Sequence, residues 1–184
     1  GSGTGGDGTG ETVTPGAVAA QIENAAGEEV SLPQNEVPTI TSEILNTLRK
    51  TGRSLIVLGE NYTLRIDGSE IRSTQGEFST QLTFTPDEYG LTFRLGDDSP
   101  LPCGVEITLT GDNAAYSRLY LKNKANEKWQ FLNSYKDGVA HADVAGEYLL
   151  TNQNLRFTSI NWTFFIGAGI LVVACLIAYV AVKK

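Results

Sequence analysis

Apolar residues along this chain change period twice. Near the start they recur at helical spacing. Val18, Ile22 and Ala25 or Ala26 share one face, Thr14-Pro15 supplies a cap and a first-turn proline, and Gly27 supplies a stop. A short strand is predicted over Glu29–Leu32, closed by Pro33. A second helix is predicted after Thr41, with Glu43 in its first turn, an Ile44, Leu45 and Leu48 stripe, and Arg49-Lys50 before Gly52. Beyond Gly52 the period becomes two. Strands are predicted at 54–58, 62–66, 81–85, 91–95, 105–110, 117–122, 129–135, 138–143 and 146–152. Asp67-Gly68 is the strongest short turn signal between them. This succession predicts a mainly β fold, an antiparallel β-sandwich-like domain with two short N-terminal helices. The helices are expected to close one end or cover one face.

The pattern changes again near the C-terminus. Trp162 to Val182 carries no charge, and Lys183-Lys184 follow. At about 1.5 Å per helical residue, such a run is long enough to cross roughly 30 Å of hydrocarbon. Trp162, Phe164 and Phe165 at one end and Tyr179 near the other fit interfacial belts. By the positive-inside rule the lysines face the cytoplasm. The expectation is one C-terminal transmembrane helix and a single-pass cell-membrane protein with the bulk of the chain extracellular. Gly167, Ala174, Ala178 and Ala181 form a small-residue stripe suited to helix–helix packing and a helix-mediated dimer.

These periods divide the chain into five parts. Residues 1–13 read as a flexible Gly-rich linker, 14–152 as a β-rich module, 153–161 as a juxtamembrane segment, 162–182 as the membrane helix and 183–184 as a cytoplasmic tail. With glycine first and no methionine, the chain is expected to be a processed or excised form, with either a signal removed or a larger protein upstream.

Fourteen basic residues face 21 acidic ones, for a net charge of −7. An acidic surface disfavours nucleic acid as a partner. Cys175 lies in the apolar run and Cys103 in the module, so no disulfide is expected. Cys103 has no flanking His, Lys or Arg and reads as a small core residue.

Several residues of the module resemble a known pattern. Ile44-Leu45-Asn46-Thr47-Leu48-Arg49-Lys50-Thr51-Gly52, then Leu55-Ile56-Val57, then Tyr62-Thr63-Leu64-Arg65-Ile66-Asp67-Gly68-Ser69-Glu70-Ile71 follow one unit. It is similar to the opening of β-rich modules in large cell-surface proteins of clostridia and related Gram-positive gut bacteria. Leu101-Pro102-Cys103-Gly104-Val105-Glu106-Ile107 and the late Asp137-Gly138 turn continue the likeness over about residues 15–152. The family usually has tryptophan where Thr63 or Leu64 stands. The resemblance implies a surface module and carries no catalytic residue.

Candidate chemistry is sparse. His141 is the one histidine, and no nucleophile elbow, phosphate loop or His/Cys metal spacing is present. An enzyme is not expected, and neither is a cofactor. A structural calcium is the one ion the loops suggest, at Asp97, Asp98 and Ser99 or at Asp112-Asn113, although neither has EF-hand spacing. Trp129, Phe131 and Tyr135 would share a strand face, which a sandwich would bury as core rather than offer as a sugar platform. Asn61-Tyr62-Thr63 and Asn161-Trp162-Thr163 are sequons. The function expected is a membrane-anchored structural or adhesion module that tethers or spaces upstream domains at a bacterial surface. The alternative is a glycan- or protein-binding module, or a single-pass subunit of a membrane complex.

Overall fold

The computed structural model describes residues 14–97 and 100–155. Helix α1 (Pro15–Glu23) leads into β1 (Glu29–Pro33), β2 (Thr39–Ile40), α2 (Ser42–Thr51), β3 (Ser54–Gly59) and β4 (Tyr62–Asp67). Then follow β5 (Phe78–Ser79), β6 (Thr85–Pro86), β7 (Gly90–Leu95), β8 (Val105–Leu109) and β9 (Arg118–Lys122). The last elements are β10 (Trp129–Phe131), β11 (Tyr135–Lys136), β12 (Val139–Ala142) and β13 (Gly146–Thr151). The first sheet has the order β1-β3-β4-β8-β12-β11 and the second the order β10-β9-β13-β7-β6, while β2 and β5 form a small pair.

The mainly β, antiparallel sandwich-like expectation is corrected to a mixed α/β domain, with 21% of the described residues in helix and 40% in strand. The physical reason lies in one pairing. β1 and β3 run parallel, with Val30 opposite Leu55 and Leu32 opposite Val57. No hairpin can join parallel neighbours, so the chain must cross over, and α2 is in the crossover. Helix α2 is therefore built into the sheet's connectivity rather than added to one end, while α1 precedes the first strand. Val18 and Ile22 of α1 join Ile44, Leu45 and Leu48 of α2 in the core that also holds the inward residues of both sheets.

Local chemistry ends each helix. The Thr41 hydroxyl accepts from the Ile44 N–H at 3.3 Å, and Gly52 closes α2 at a φ of 70°. At the end of α1, the Arg53 guanidinium donates to the carbonyls of Ile22 and Glu23 at 2.5 and 2.6 Å. Asp67-Gly68 is not a hairpin turn. It opens a 3-10 turn over Gly68–Glu70, in which Asp67 Oδ1 accepts from the Ser69 N–H at 2.9 Å. The Ser69 hydroxyl donates to the same oxygen at 2.6 Å, and this bond, with that of the Ser69 N–H, holds the Asp67 carboxyl below its ordinary pKa. A side chain at Gly68 would collide with the carbonyls of Leu48 and Arg53, so the glycine permits the close approach of α2.

Aromatic rings tie the two sheets together. Tyr62 meets Phe84 at 5.9 Å between centroids, Phe84 meets Phe93 at 5.3 Å, and Phe93 stacks on Tyr148 at 5.3 Å. Tyr62 also satisfies buried backbone. Its hydroxyl donates to the Thr80 carbonyl at 2.8 Å and accepts from the Leu82 N–H at 3.0 Å. These bonds fix residues 81–84, which have no strand pairing, where the hydrophobic pattern predicts a strand over residues 81–85.

The membrane reading is also corrected. Among the described residues no helix is long and apolar enough to cross a membrane. The longer helix, α2, has 10 residues and carries Glu43, Arg49 and Lys50, so at about 1.5 Å per residue it spans half a bilayer core. The run 162–182, with its anchor residues and small-residue stripe, lies outside the described residues. The single-pass topology, the membrane as partner, the extracellular cell-membrane location and the anchored tether or adhesion role have no support in the fold and are not carried forward.

Replacing Tyr62 with Phe removes both hydroxyl bonds and strands the buried Leu82 N–H. A loss of about 1–3 kcal/mol is expected, read by urea denaturation with an unchanged m-value.

Candidate functional site

The second sheet carries buried apolar residues on both faces. Phe93, Leu95, Leu119, Tyr148 and Leu150 point into the main core. Their strand neighbours Tyr120 and Leu149 point the other way and are fully buried in a separate cluster with Leu155. Tyr89, Trp129 and Phe131 pack around that cluster and stay partly exposed. The cross-strand register explains the grouping. Phe131 lies opposite Tyr120, Tyr120 opposite Leu149, and Leu149 opposite Thr92. Tyr120 and Phe131 meet edge to face at 5.5 Å.

Backbone returning across this face holds the cluster in place. The Tyr120 hydroxyl accepts from the Leu155 N–H at 2.9 Å. Thr151 donates to the Tyr89 carbonyl at 2.6 Å and accepts from the Gln153 N–H at 3.0 Å. A hydrogen bond to the Glu88 carboxylate, with that group's charge, raises the Tyr89 phenol above its ordinary pKa.

Beside the aromatic row runs a charged one. Trp129 lies opposite Lys122, whose ammonium sits 5.5 Å from the centre of the indole ring. Lys122 also pairs with Glu147 at 3.4 Å, and Glu147 lies opposite Arg94. The turn from β9 to β10 is closed by its own hydrogen bonds. The Asn123 N–H donates to the Lys128 carbonyl, and the Glu127 N–H to the Asn123 carbonyl, both at 2.8 Å. The Asn123 side chain accepts from the Ala125 N–H at 2.8 Å. Against this turn opens a cavity of about 370 Å³, lined by Arg94, Lys122, Asn123, Lys124, Glu127, Gly146 and Glu147. A ring surface thus adjoins a polar, charged recess, an arrangement suited to binding a ligand with an apolar face and polar edges.

The expectation that Trp129, Phe131 and Tyr135 share a core face is corrected. The run 129–135 breaks after Phe131: β10 joins the second sheet and β11 joins the first. Tyr135 packs at the edge of the main core, while Trp129 and Phe131 lie on the outer face of the other sheet. The alternation of residues showed a shared side for Trp129 and Phe131 but could not show which side faces solvent.

Other singled-out residues are scattered. His141 is on the outer face of the first sheet, opposite Glu106, with Nε2 3.5 Å from its carboxylate and a side chain 61% exposed. Nearby, Arg72 pairs with Asp143 at 3.1 Å. Both pairs are open to water, and neither places a base against a nucleophile. Asp112 is exposed and Asn113 buried in one 3-10 turn, Asp97 ends a strand loop, and Asp98 and Ser99 lie outside the described residues. Among the described residues no group of three or more His, Cys, Asp or Glu could hold a metal ion. Asn61 is exposed in the β3–β4 turn with a φ of 64°, and Asn161 lies outside the described residues.

No family model, curated protein or solved structure matches the chain.

Cys103 is fully buried, and burial pushes its thiol up to about 11. Iodoacetamide at pH 8 is expected to spare Cys103 in the native protein and to label it in urea, as read by peptide mass. The raised folded pKa adds stability below pH 9 that is lost as pH rises through 11. Alkaline stability curves of wild type and Cys103→Ala are expected to converge over that interval.

Proposed function

We infer that this domain is a non-catalytic carbohydrate-binding module whose ligand lies on the outer face of the second sheet. The observation that carries this reading is the placement of Trp129. Its indole is partly exposed and lies against Lys122, and with Phe131 on the same strand it forms one rim of the buried cluster of Tyr120, Leu149 and Leu155, whose other rim is Tyr89. A pyranose ring offers an apolar face of C–H bonds and a rim of hydroxyls. The first matches an aromatic surface, and the second matches the Asn123, Glu127 and Glu147 groups of the adjoining recess.

Rigidity supports the reading. Tyr120, Trp129 and Phe131 stand on strands, and the flanking turn is hydrogen-bonded within itself, so little order is gained at binding. The likeness to β-rich modules of clostridial surface proteins is compatible with a recognition role and names no ligand. Absence of catalysis belongs to the same proposal: the carboxylates of the recess stand beside cations rather than in an isolated acid–base pair across a cleft.

An array of neutral and acidic oligosaccharides probed with the whole chain tests this. A restricted set of glycans should bind, and Trp129→Ala should weaken them at least about tenfold, equivalent to about 1.4 kcal/mol. Far-UV circular dichroism should be unchanged, because Trp129 sits on an edge strand outside the main core. A blank array, or binding indifferent to Trp129→Ala, overturns the reading.

A further inference from the structure

We propose that two copies of this chain join through β1, edge to edge and antiparallel about a two-fold axis at Ser31, so that their first sheets become one continuous sheet. This inference is independent of the carbohydrate reading, which concerns the other sheet.

The two large sheets end in four edge strands. Three of them are poor templates for pairing. β6 has two residues and ends in Pro86, β11 has two and carries Lys136, and β10 has three. β1 has five residues in unbroken register with β3, and no lysine, arginine or bulge interrupts it. Short length, proline, basic side chains and bulges are the usual means by which an open edge is kept from pairing. In β1 only the last position, Pro33, has such a device.

The hydrogen-bond phase of β1 shows which backbone groups are spare. The Ser54 N–H donates to the Glu28 carbonyl at 2.8 Å. Along a parallel ladder successive residues face alternate sides, so Val30 and Leu32 face β3. Glu29, Ser31 and Pro33 turn their backbone groups outward, and all three residues are exposed. Among the described residues no strand pairs with that edge.

A second copy of the same strand satisfies these groups. With Ser31 opposite Ser31 of the second copy, each N–H donates to the other's carbonyl. Glu29 then lies opposite Pro33 of the second copy and donates to its carbonyl, so every outward donor of both strands is used. On the core-facing side Val30 lies opposite Leu32 of the second copy. Val30 is only partly buried at the margin of the main core, and this cross-strand pair extends the core over the axis. An unrelated strand would meet the same donors, but these side-chain matches follow from the strand's own sequence set against itself.

Local charge does not oppose the contact. Glu29 is the one charged residue of β1. Its carboxylate already accepts from Arg65 Nε at 3.2 Å, and in this register it meets proline rather than a second carboxylate. The net charge of −7 on each copy acts at longer range, so association should tighten as salt is added.

Sedimentation velocity of the full chain over a range of concentrations tests this. Wild type should pass from monomer to dimer. Ser31→Pro removes an outward N–H and no bond to β3. It should raise the dimer dissociation constant at least about tenfold, through loss of a symmetric pair of hydrogen bonds. Ser31→Ala keeps the N–H and should dissociate like wild type. Residue-resolved amide exchange of the wild type gives a readout that needs no variant to fold. The amides of Glu29 and Ser31 should gain protection as concentration rises, while those of Val30 and Leu32 are protected throughout. A chain that is monomeric at every concentration overturns the proposal. So does a dimer that a folded Ser31→Pro variant leaves intact, which would put the contact elsewhere, as in the apolar run 162–182. Glu29 and Ser31 amides that exchange freely in the dimer overturn it as well.

Discussion

β13 has to bury both of its faces, and much of the molecule is arranged around that need. Tyr148 and Leu150 fill the main core, and Leu149 between them is just as completely enclosed on the opposite side. A central strand of an antiparallel sheet usually leaves one face to water. Here the apolar triplet Tyr148-Leu149-Leu150 leaves no polar position, so the outer face needs its own cover. Tyr120 from β9, Leu155 from the returning chain, and the rims of Tyr89, Trp129 and Phe131 provide it. Burying one such side chain contributes roughly 1.5–3 kcal/mol, enough to hold the segment that follows β13 against the sheet. The cover is incomplete at its aromatic edge, and that edge is where the functional proposal lies.

The first sheet answers a different constraint. Its parallel β1–β3 pair forces a crossover, and the crossover places α2 against the sheet end. Gly68 then lets β4 finish directly beneath the carbonyls of Leu48 and Arg53, while Arg53 secures the end of α1. The aromatic column from Tyr62 to Tyr148 carries these contacts across to the second sheet. Among the described residues no buried side-chain nitrogen or oxygen lacks a partner, so the polar groups within this packing are matched.

Charge and packing meet in one row of the second sheet. Lys122 serves the aromatic patch through Trp129 and the polar recess through Glu147. A chain that is acidic as a whole thereby gathers three bases around a recess of about 370 Å³. Binding surfaces that combine a rigid ring with a few placed polar groups select ligands by shape and charge together.

Much of the local structure was legible in the sequence. Thr14-Pro15, Thr41 and Gly52 mark helix ends because capping depends on residues within one turn. The alternations at 62–66, 91–95 and 105–110 mark strands because side chains alternate at every residue, although the last strand ends at Leu109. Cys103 read as core and is buried. What the chain could not disclose was decided by pairing at a distance. Nothing near Val30 announces that it will run parallel to Leu55, so the mixed architecture was read as a sandwich. The run 129–135 looked continuous, yet its halves entered different sheets. Alternation placed Trp129 and Phe131 on one side and left the side unnamed, since a period of two is blind to which face is enclosed. The bases of the recess are 28 to 30 residues apart between Arg94 and the β9–β10 turn. Local propensity acts over a few residues, whereas a binding face is assembled from strands that only the folded sheet makes neighbours.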